Sequence, residues 1–262
     1  MKRSNRPRIY LKSDDEIAVM RRAGKLTADT LRILRDAVRP GITTAELDRI
    51  AEEYIRSHGG VPSFKGYQGY PATACISVNE QIVHGIPGER RLEEGDIVSI
   101  DMGAIVDGFQ GDSAITLPVG VVSEEAKQLM LHTYRSLFFG IEQALEGNRL
   151  GDISHAIQVY AESHGYSVVR ELVGHGIGRS MHEEPQIPNY GPAGHGPILK
   201  KGMTLAIEPM INIGTPDIVV APDQWTVSTR DGKLSAHFEH TVAIGDEGPE
   251  ILTRWPANEE PI

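Results

Sequence analysis

Cysteine is nearly missing. Cys75 is the single one among 262 residues, so no disulfide closes within the chain and the fold does not depend on an oxidising compartment. Basic charge is in deficit: 26 Lys and Arg stand against 36 Asp and Glu, a formal net charge of −10 with a pI near 5.5. That balance argues against a general affinity for nucleic-acid backbones. Long apolar runs are absent as well; no stretch reaches the roughly 18 residues needed to cross a bilayer. The opening Met1-Lys2-Arg3-Ser4-Asn5-Arg6-Pro7-Arg8 is basic, but no apolar run follows it, so no secretory signal is expected. The expectation is a cytoplasmic protein with neither membrane nor specific nucleic-acid partner.

What is present is globular: 40% hydrophobic and 24% charged residues are enough for a sizeable core. At about 150 residues per domain the length allows one large domain or two small ones. Glycine (28) and proline (16) are enriched, in short clusters between periodic segments, as turns that position side chains require. No segment has the length and composition of a linker. One domain over residues 13–256 is expected, with a loose N-terminal tail over 1–12 and a C-terminal tail over 257–262.

Ser13-Asp14-Asp15-Glu16 reads as a capping box, and apolar residues from Ile17 to Val38 follow at helical spacing until Arg39-Pro40-Gly41 stops them. Thr43-Thr44-Ala45-Glu46 opens a second helix that Gly59-Gly60 closes. A third is predicted from Ser123 to about Glu146, and a fourth from Asp152 to near Gly165. Strand patterns lie at 97–102, 114–117, 167–172, 203–207 and 237–244. The order helix, helix, strands, repeated once, is an α+β plan and suggests two similar halves about one sheet.

Chemistry first shows in a pair of aspartates. Asp107-Gly108 is a two-residue hairpin turn, which sets residue i opposite residue 215 − i. Asp101 then faces Ala114, and Asp112 lies two residues away on the same face, about 7–8 Å off by backbone. Aspartates are disfavoured inside strands, and two aimed at one point repel unless a cation lies between them. From the hairpin alone, metal ligation and a solvent-facing sheet edge both stand.

His175 sits in a glycine bed, Gly174-His175-Gly176-Ile177-Gly178, where the backbone can approach closely. His182 follows in Met181-His182-Glu183-Glu184-Pro185. Glu208 comes at the end of an apolar strand, and Pro209 cannot continue the ladder. Glu239 lies within a half-apolar strand, and His84 precedes Gly85-Ile86-Pro87. Each has a bland reading, as a buried or loop residue. Together, an oxygen-rich set with one imidazole suits Mn, Fe, Co or Zn rather than a closed structural zinc site. Four carboxylates and a histidine are too many for one ion and suit two.

In these residues the chain resembles the type I methionine aminopeptidases, from about Ser13 to Trp255. The shared runs include Gly66-Tyr67-Gln68-Gly69-Tyr70-Pro71, Cys75-Ile76-Ser77-Val78-Asn79-Glu80, Asp107-Gly108-Phe109-Gln110-Gly111-Asp112, His182-Glu183-Glu184-Pro185 and Glu239-His240-Thr241. The resemblance implies the pita-bread fold, two pseudo-symmetric halves around a central antiparallel or mixed sheet, with a dinuclear site in the cleft. It implies removal of the initiator methionine from nascent chains, with a preference for a small second residue. Carried over position by position, the metal ligands fall on Asp101, Asp112, His175, Glu208 and Glu239, with Asp112 and Glu239 bridging. The catalytic and substrate-contacting positions fall on His84, His182 and Glu208. The walls of the methionine pocket fall on Phe64, Tyr67, Tyr70, Cys75, Met181 and Trp225. Phe64 and Met181 depart from the best-known bacterial members, each exchanging one apolar group for another.

The resemblance also implies a transient ribosome contact; Arg3, Arg6 and Arg8 read either as assisting it or as an ordinary solvated tail, and a monomer is expected. Xaa-Pro peptidases share the fold but usually carry a large extra N-terminal domain. A type II enzyme needs an insertion for which the spacing leaves no room: Glu208 lies 26 residues beyond His182, and Glu239 31 beyond Glu208. A catalytically dead relative should lack some ligands. His237 and His240 are expected to point away from Glu239 and to ligate nothing. His58, His132, His155 and His164 read as solvated or capping residues.

Overall fold

In a computed structural model of the chain, residues 8–256 are described. The expected tail over 257–262 lies outside them, as do Arg3 and Arg6. Two helices open the first half, α1 (Asp14–Ala37) and α2 (Thr44–Ser57), followed by strands β1 (Val61–Pro62), β2 (Ala74–Val78), β3 (Gln81–Val83), β4 (Ile97–Val106) and β5 (Phe109–Pro118). The second half repeats the plan with α3 (Glu124–Ile141) and α4 (Leu150–Ser163). Its strands are β6 (Ser167–Val168), β7 (Gly174–Gly176), β8 (Glu183–Ile187), β9 (Thr204–Ile207), β10 (Met210–Asn212), β11 (Ile218–Val220), β12 (Val227–Thr229), β13 (Ser235–His237), β14 (Glu239–Gly245) and β15 (Gly248–Ile251).

Local chemistry explains the helix starts. Ser13 and Thr43 each accept from the backbone N–H three residues on, while Glu16 and Glu46 reach back to the cap. The apolar face of α1 (Met20, Leu31 and Leu34) is fully buried. That helix lies against β5 so closely that a Cβ on Gly111 would come within 2.6 Å of the Gly24 nitrogen. Thr27 donates to the Gly111 carbonyl at 3.1 Å across the same contact.

The main sheet has the order β1-β4-β5-β14-β9-β7-β8, with β2 added on β4 and β15 on β14. Every ladder described is antiparallel, and two three-stranded sheets, β13-β10-β6 and β11-β12-β3, complete the fold. In the β4–β5 hairpin Val106 faces Phe109 and Asp101 faces Ala114, the register expected from the Asp-Gly turn.

Three expectations need correction. The third helix ends at Ile141 rather than near Glu146, because Gln143 and Ala144 turn back onto the Gly140 and Ile141 carbonyls. The strand expected over 167–172 is regular only at Ser167–Val168. The strand over 237–244 is broken at Phe238, which separates β13 from β14. Within the expected N-terminal tail, Lys12 is held: its N–H donates to the Gly202 carbonyl at 2.7 Å and its side chain is buried.

Candidate metal centre and its cavity

Strand register alone gathers the acidic side chains. Asp101 on β4 faces Ala114 on β5, and Ala114 faces Glu239 on β14. Opposed residues share a face, and so do residues two apart on one strand, which adds Asp112 to the row. On the other side of β14, His240 faces Ile207, so the next pair in register is Glu239 with Glu208. His175 on β7 faces Ala206, two residues before Glu208. All five predicted ligands therefore project from one face of the sheet. Donor atoms of Asp112, His175 and Glu239 lie within 4.8 Å of one another.

Hydrogen bonds fix these groups from behind. The Asp112 N–H donates to Thr241 Oγ1 at 3.0 Å, and the same hydroxyl donates to the Asp112 carbonyl at 2.8 Å. Ser113 donates to the Glu239 carbonyl at 2.6 Å, and Asn189 to the Glu208 carbonyl at 2.9 Å. His175 Nδ1 lies 2.9 Å from the Gly176 carbonyl. A carbonyl only accepts, so Nδ1 carries the proton and Nε2 keeps its lone pair. That bare nitrogen faces Glu208 Oε1 at 3.5 Å and Asp112 Oδ2 at 3.9 Å.

The donor set fits divalent cations on two observations. Asp101 Oδ1, Asp112 Oδ1 and Glu239 Oε1 are buried with no hydrogen-bond partner, a costly arrangement unless something else satisfies them. Burial and the mutual repulsion of the four carboxylates also hold Asp101, Glu208 and Glu239 well above the usual carboxylate range. Burial pushes Asp112 up to about 7. Acids that resist ionising together are the electrostatic mark of a site built around positive charge.

A cavity of about 320 Å³ opens over this floor, and all thirteen predicted site residues line it. Its apolar lining is made by two packed groups, Tyr70 and Cys75 with Trp225, and Met181 with Tyr67, and Phe64 packs against both. Tyr70 donates to the Ala74 and Gly85 carbonyls, which pins the segment bearing His84. His84 itself adopts a left-handed backbone, φ 60°, strain of the kind that concentrates at functional sites. His182 lies beside His175, ring centroids 4.3 Å apart and planes tilted by 54°, and its Nδ1 lies 2.8 Å from the Tyr67 hydroxyl. Burial lowers the pKa of His84 and His182, with their mutual repulsion adding to the shift of His84, so both are neutral near pH 7.

Sequence reasoning missed some neighbours. Gln68, which lies within the Gly66–Pro71 run without being singled out there, also lines the cavity, as do Val83, Leu172, Val173 and Met210, which nothing in their local pattern marks. His237 was expected to turn away. Lying two residues before Glu239, it shares the face of that residue by the period-2 alternation of a strand, and its Nε2 lies 3.7 Å from Glu208 Oε2. Both of its ring nitrogens are buried without a hydrogen-bond partner. His240 does turn away, onto Thr253 at 2.9 Å.

Comparison with known proteins places this geometry. Residues 18–246 match metallopeptidase family M24. A methionine aminopeptidase of Clostridium acetobutylicum is 56% identical over 94% of this chain and 98% of its own. Methionine aminopeptidase 1 of Bacillus subtilis is 54% identical over 94% and 99%. The crystal structure of methionine aminopeptidase from Rickettsia prowazekii superposes with a TM-score of 0.93 at 45% identity, covering 94% of this chain and all of that one. The Pyrococcus furiosus prolidase, at 22% identity and a TM-score of 0.76, shares the fold. With the pita-bread architecture and the acidic cleft both in place, the chain belongs to metallopeptidase family M24 and, within it, to the methionine aminopeptidases.

Proposed function

We propose that this protein is a metal-dependent aminopeptidase that hydrolyses the first peptide bond of chains beginning with methionine, using two divalent ions drawn from Co, Mn, Fe or Zn. The observation that carries this reading is the sheet face on which four buried carboxylates and one bare imidazole nitrogen converge beneath a mostly apolar cavity. Asp101, Asp112, His175, Glu208 and Glu239 would hold the ions. When bound, such ions supply Lewis-acid polarisation and a hydroxide at neutral pH.

The chain's own residues do the rest. The methionine side chain lies against Phe64, Tyr67, Tyr70, Cys75, Met181 and Trp225. An unbranched thioether suits such an irregular apolar wall. Glu208 takes a proton from the attacking water and passes it to the leaving amine. His182, its Nδ1 occupied by Tyr67, turns Nε2 to the scissile carbonyl as charge grows on oxygen. His84, also in the cavity lining, holds the amide. Losing one such contact costs about 3–4 kcal/mol of transition-state stabilisation. Cys75 is no nucleophile: burial and the neighbouring Asp101 push its thiol up, away from the thiolate.

The proposal extends to nascent chains with a small second residue as the substrate, a transient contact with the ribosome, and a cytoplasmic monomer. The test is release of methionine from Met-Ala-Ser, with Ala-Pro-Ser as the control, after chelation and again with each metal restored. Methionine release from the first peptide alone, and only with metal, is expected. Equal release by chelated protein, or cleavage of Ala-Pro-Ser, refutes the reading.

A further inference from the structure

Lys12 and Glu183 form a buried ion pair at 2.5 Å, their side chains 6% and 10% exposed. Neither the metal set nor the pocket walls use it. A buried pair of this kind gains little or nothing over apolar side chains of similar size, so its value lies in the geometry it imposes. The two partners come from different halves. Lys12 is anchored by its N–H on Gly202, and the next residue, Ser13, caps α1. Glu183 immediately follows His182. One of its carboxylate oxygens accepts from Lys12, and the other accepts from the Ser180 N–H at 3.2 Å, closing the loop on itself.

The loop is shaped for the pair. A Cβ on Gly178 would come within 2.4 Å of Lys12 Cε and 2.7 Å of Glu183 Oε1. The start of the loop has a separate tie, from the Gln110 N–H to the Gly178 carbonyl at 2.8 Å. Arg179 also reaches Glu16 at 3.3 Å, but that pair is exposed and weak. The ring of His182 is held by Tyr67, and its backbone is tied down one residue away by Glu183.

We propose that Lys12 and Glu183 are positioning residues for the peptidase reaction, strapping the segment before α1 to the loop that presents Met181 and His182 to the substrate. The inference rests on the reading of His182 as a substrate contact given above. Displacement of a substrate-contacting group by about 1 Å can cost a hundredfold in rate.

The test uses the full chain loaded with Mn and compares Lys12→Met, Glu183→Met, the double substitution Lys12→Met/Glu183→Met, Lys12→Arg and His182→Ala. Measured are kcat and KM on Met-Ala-Ser, Mn affinity by calorimetry, and Tm. The double variant leaves no lone buried charge, so it reports on positioning even if a single variant unfolds. Expected is a kcat loss of about tenfold to a hundredfold in the single and double variants alike, with Mn affinity and KM little changed and most of the rate restored in Lys12→Arg. A double variant with the parent kcat, or one whose Mn affinity falls as far as its kcat, overturns the inference. If His182→Ala is slow while the double variant is fast, the strap alone fails. If His182→Ala is fast, the reading of His182 fails first.

Discussion

Loading the centre with a divalent cation should drive protons off the protein, and the number can be worked from the site. Asp112, pushed up to about 7 by burial, is half protonated at pH 7. Asp101, Glu208 and Glu239 are held higher than ordinary carboxylates by burial and by one another. His175, lowered to about 4 chiefly by burial and then by His182, carries no proton beyond the one on Nδ1. Cations bind the deprotonated groups, so saturation releases about one to three protons per chain. The assay is Mn titration calorimetry at pH 7 in buffers of different ionisation enthalpy, where the slope of observed heat against buffer enthalpy counts protons. Surface acids such as Glu46 and Asp152, lowered by backbone N–H donors, are already ionised and add nothing. The apparent affinity should rise with pH through the neutral range. A slope of zero at pH 7 would show the four carboxylates already charged together, and the picture of a dry acidic cluster completed by cations would be wrong.

Other perturbations follow from single contacts. Thr241→Val strips the hydroxyl from both backbone groups of Asp112, and a loss of about 1–3 kcal/mol is expected by denaturant unfolding. Gly111→Ala drives a methyl into the α1 backbone at 2.6 Å and should cost about 3 kcal/mol or more by the same measurement. His237→Ala removes the ring beside Glu208 and should slow turnover about tenfold, while His237→Gln, which keeps a polar side chain at that position, retains most of the rate. His240 is neutral in the fold, its pKa lowered to about 3 chiefly by burial and then by Arg254. An unfolded histidine takes up a proton below about 6.5, so this contribution is present above that pH and lost as pH falls. Between pH 6.5 and 5 the loss is about 1.7 kcal/mol, and an unchanged pH slope in His240→Gln would contradict it.

The legible parts of the fold obey local rules. The capping boxes at Ser13 and Thr43 start α1 and α2 where their Glu partners sit three residues on. Asp107-Gly108 determines a register that carries Asp101, six residues before the turn, and Asp112, four after it, to one face. Pro209 ends β9 and leaves Glu208 at its tip. What escaped depends on tertiary packing. Parity puts His237 on the face of Glu239, two residues on, but that Glu208 lies beside it is set by how β9, β10, β13 and β14 pair. Lys12 reads as part of a tail because its partner lies 171 residues away.

The acidic face divides along the same line. Its first row, Asp101 with Ala114 and Asp112, is set by a two-residue turn and can be derived from spacing. Joining Glu239, Glu208 and His175 to that row needs three more ladders, β5–β14, β14–β9 and β9–β7. A slip of one residue in any of them would turn its candidate ligands to the opposite side. No turn specifies those registers; the buried side chains of the core do, among them Leu205, Ile207 and Val242. The centre therefore has one half encoded in a hairpin and the other in the packing of the whole chain. Thr241, which bonds Asp112 across the β5–β14 ladder, is the contact that keeps the two halves in step.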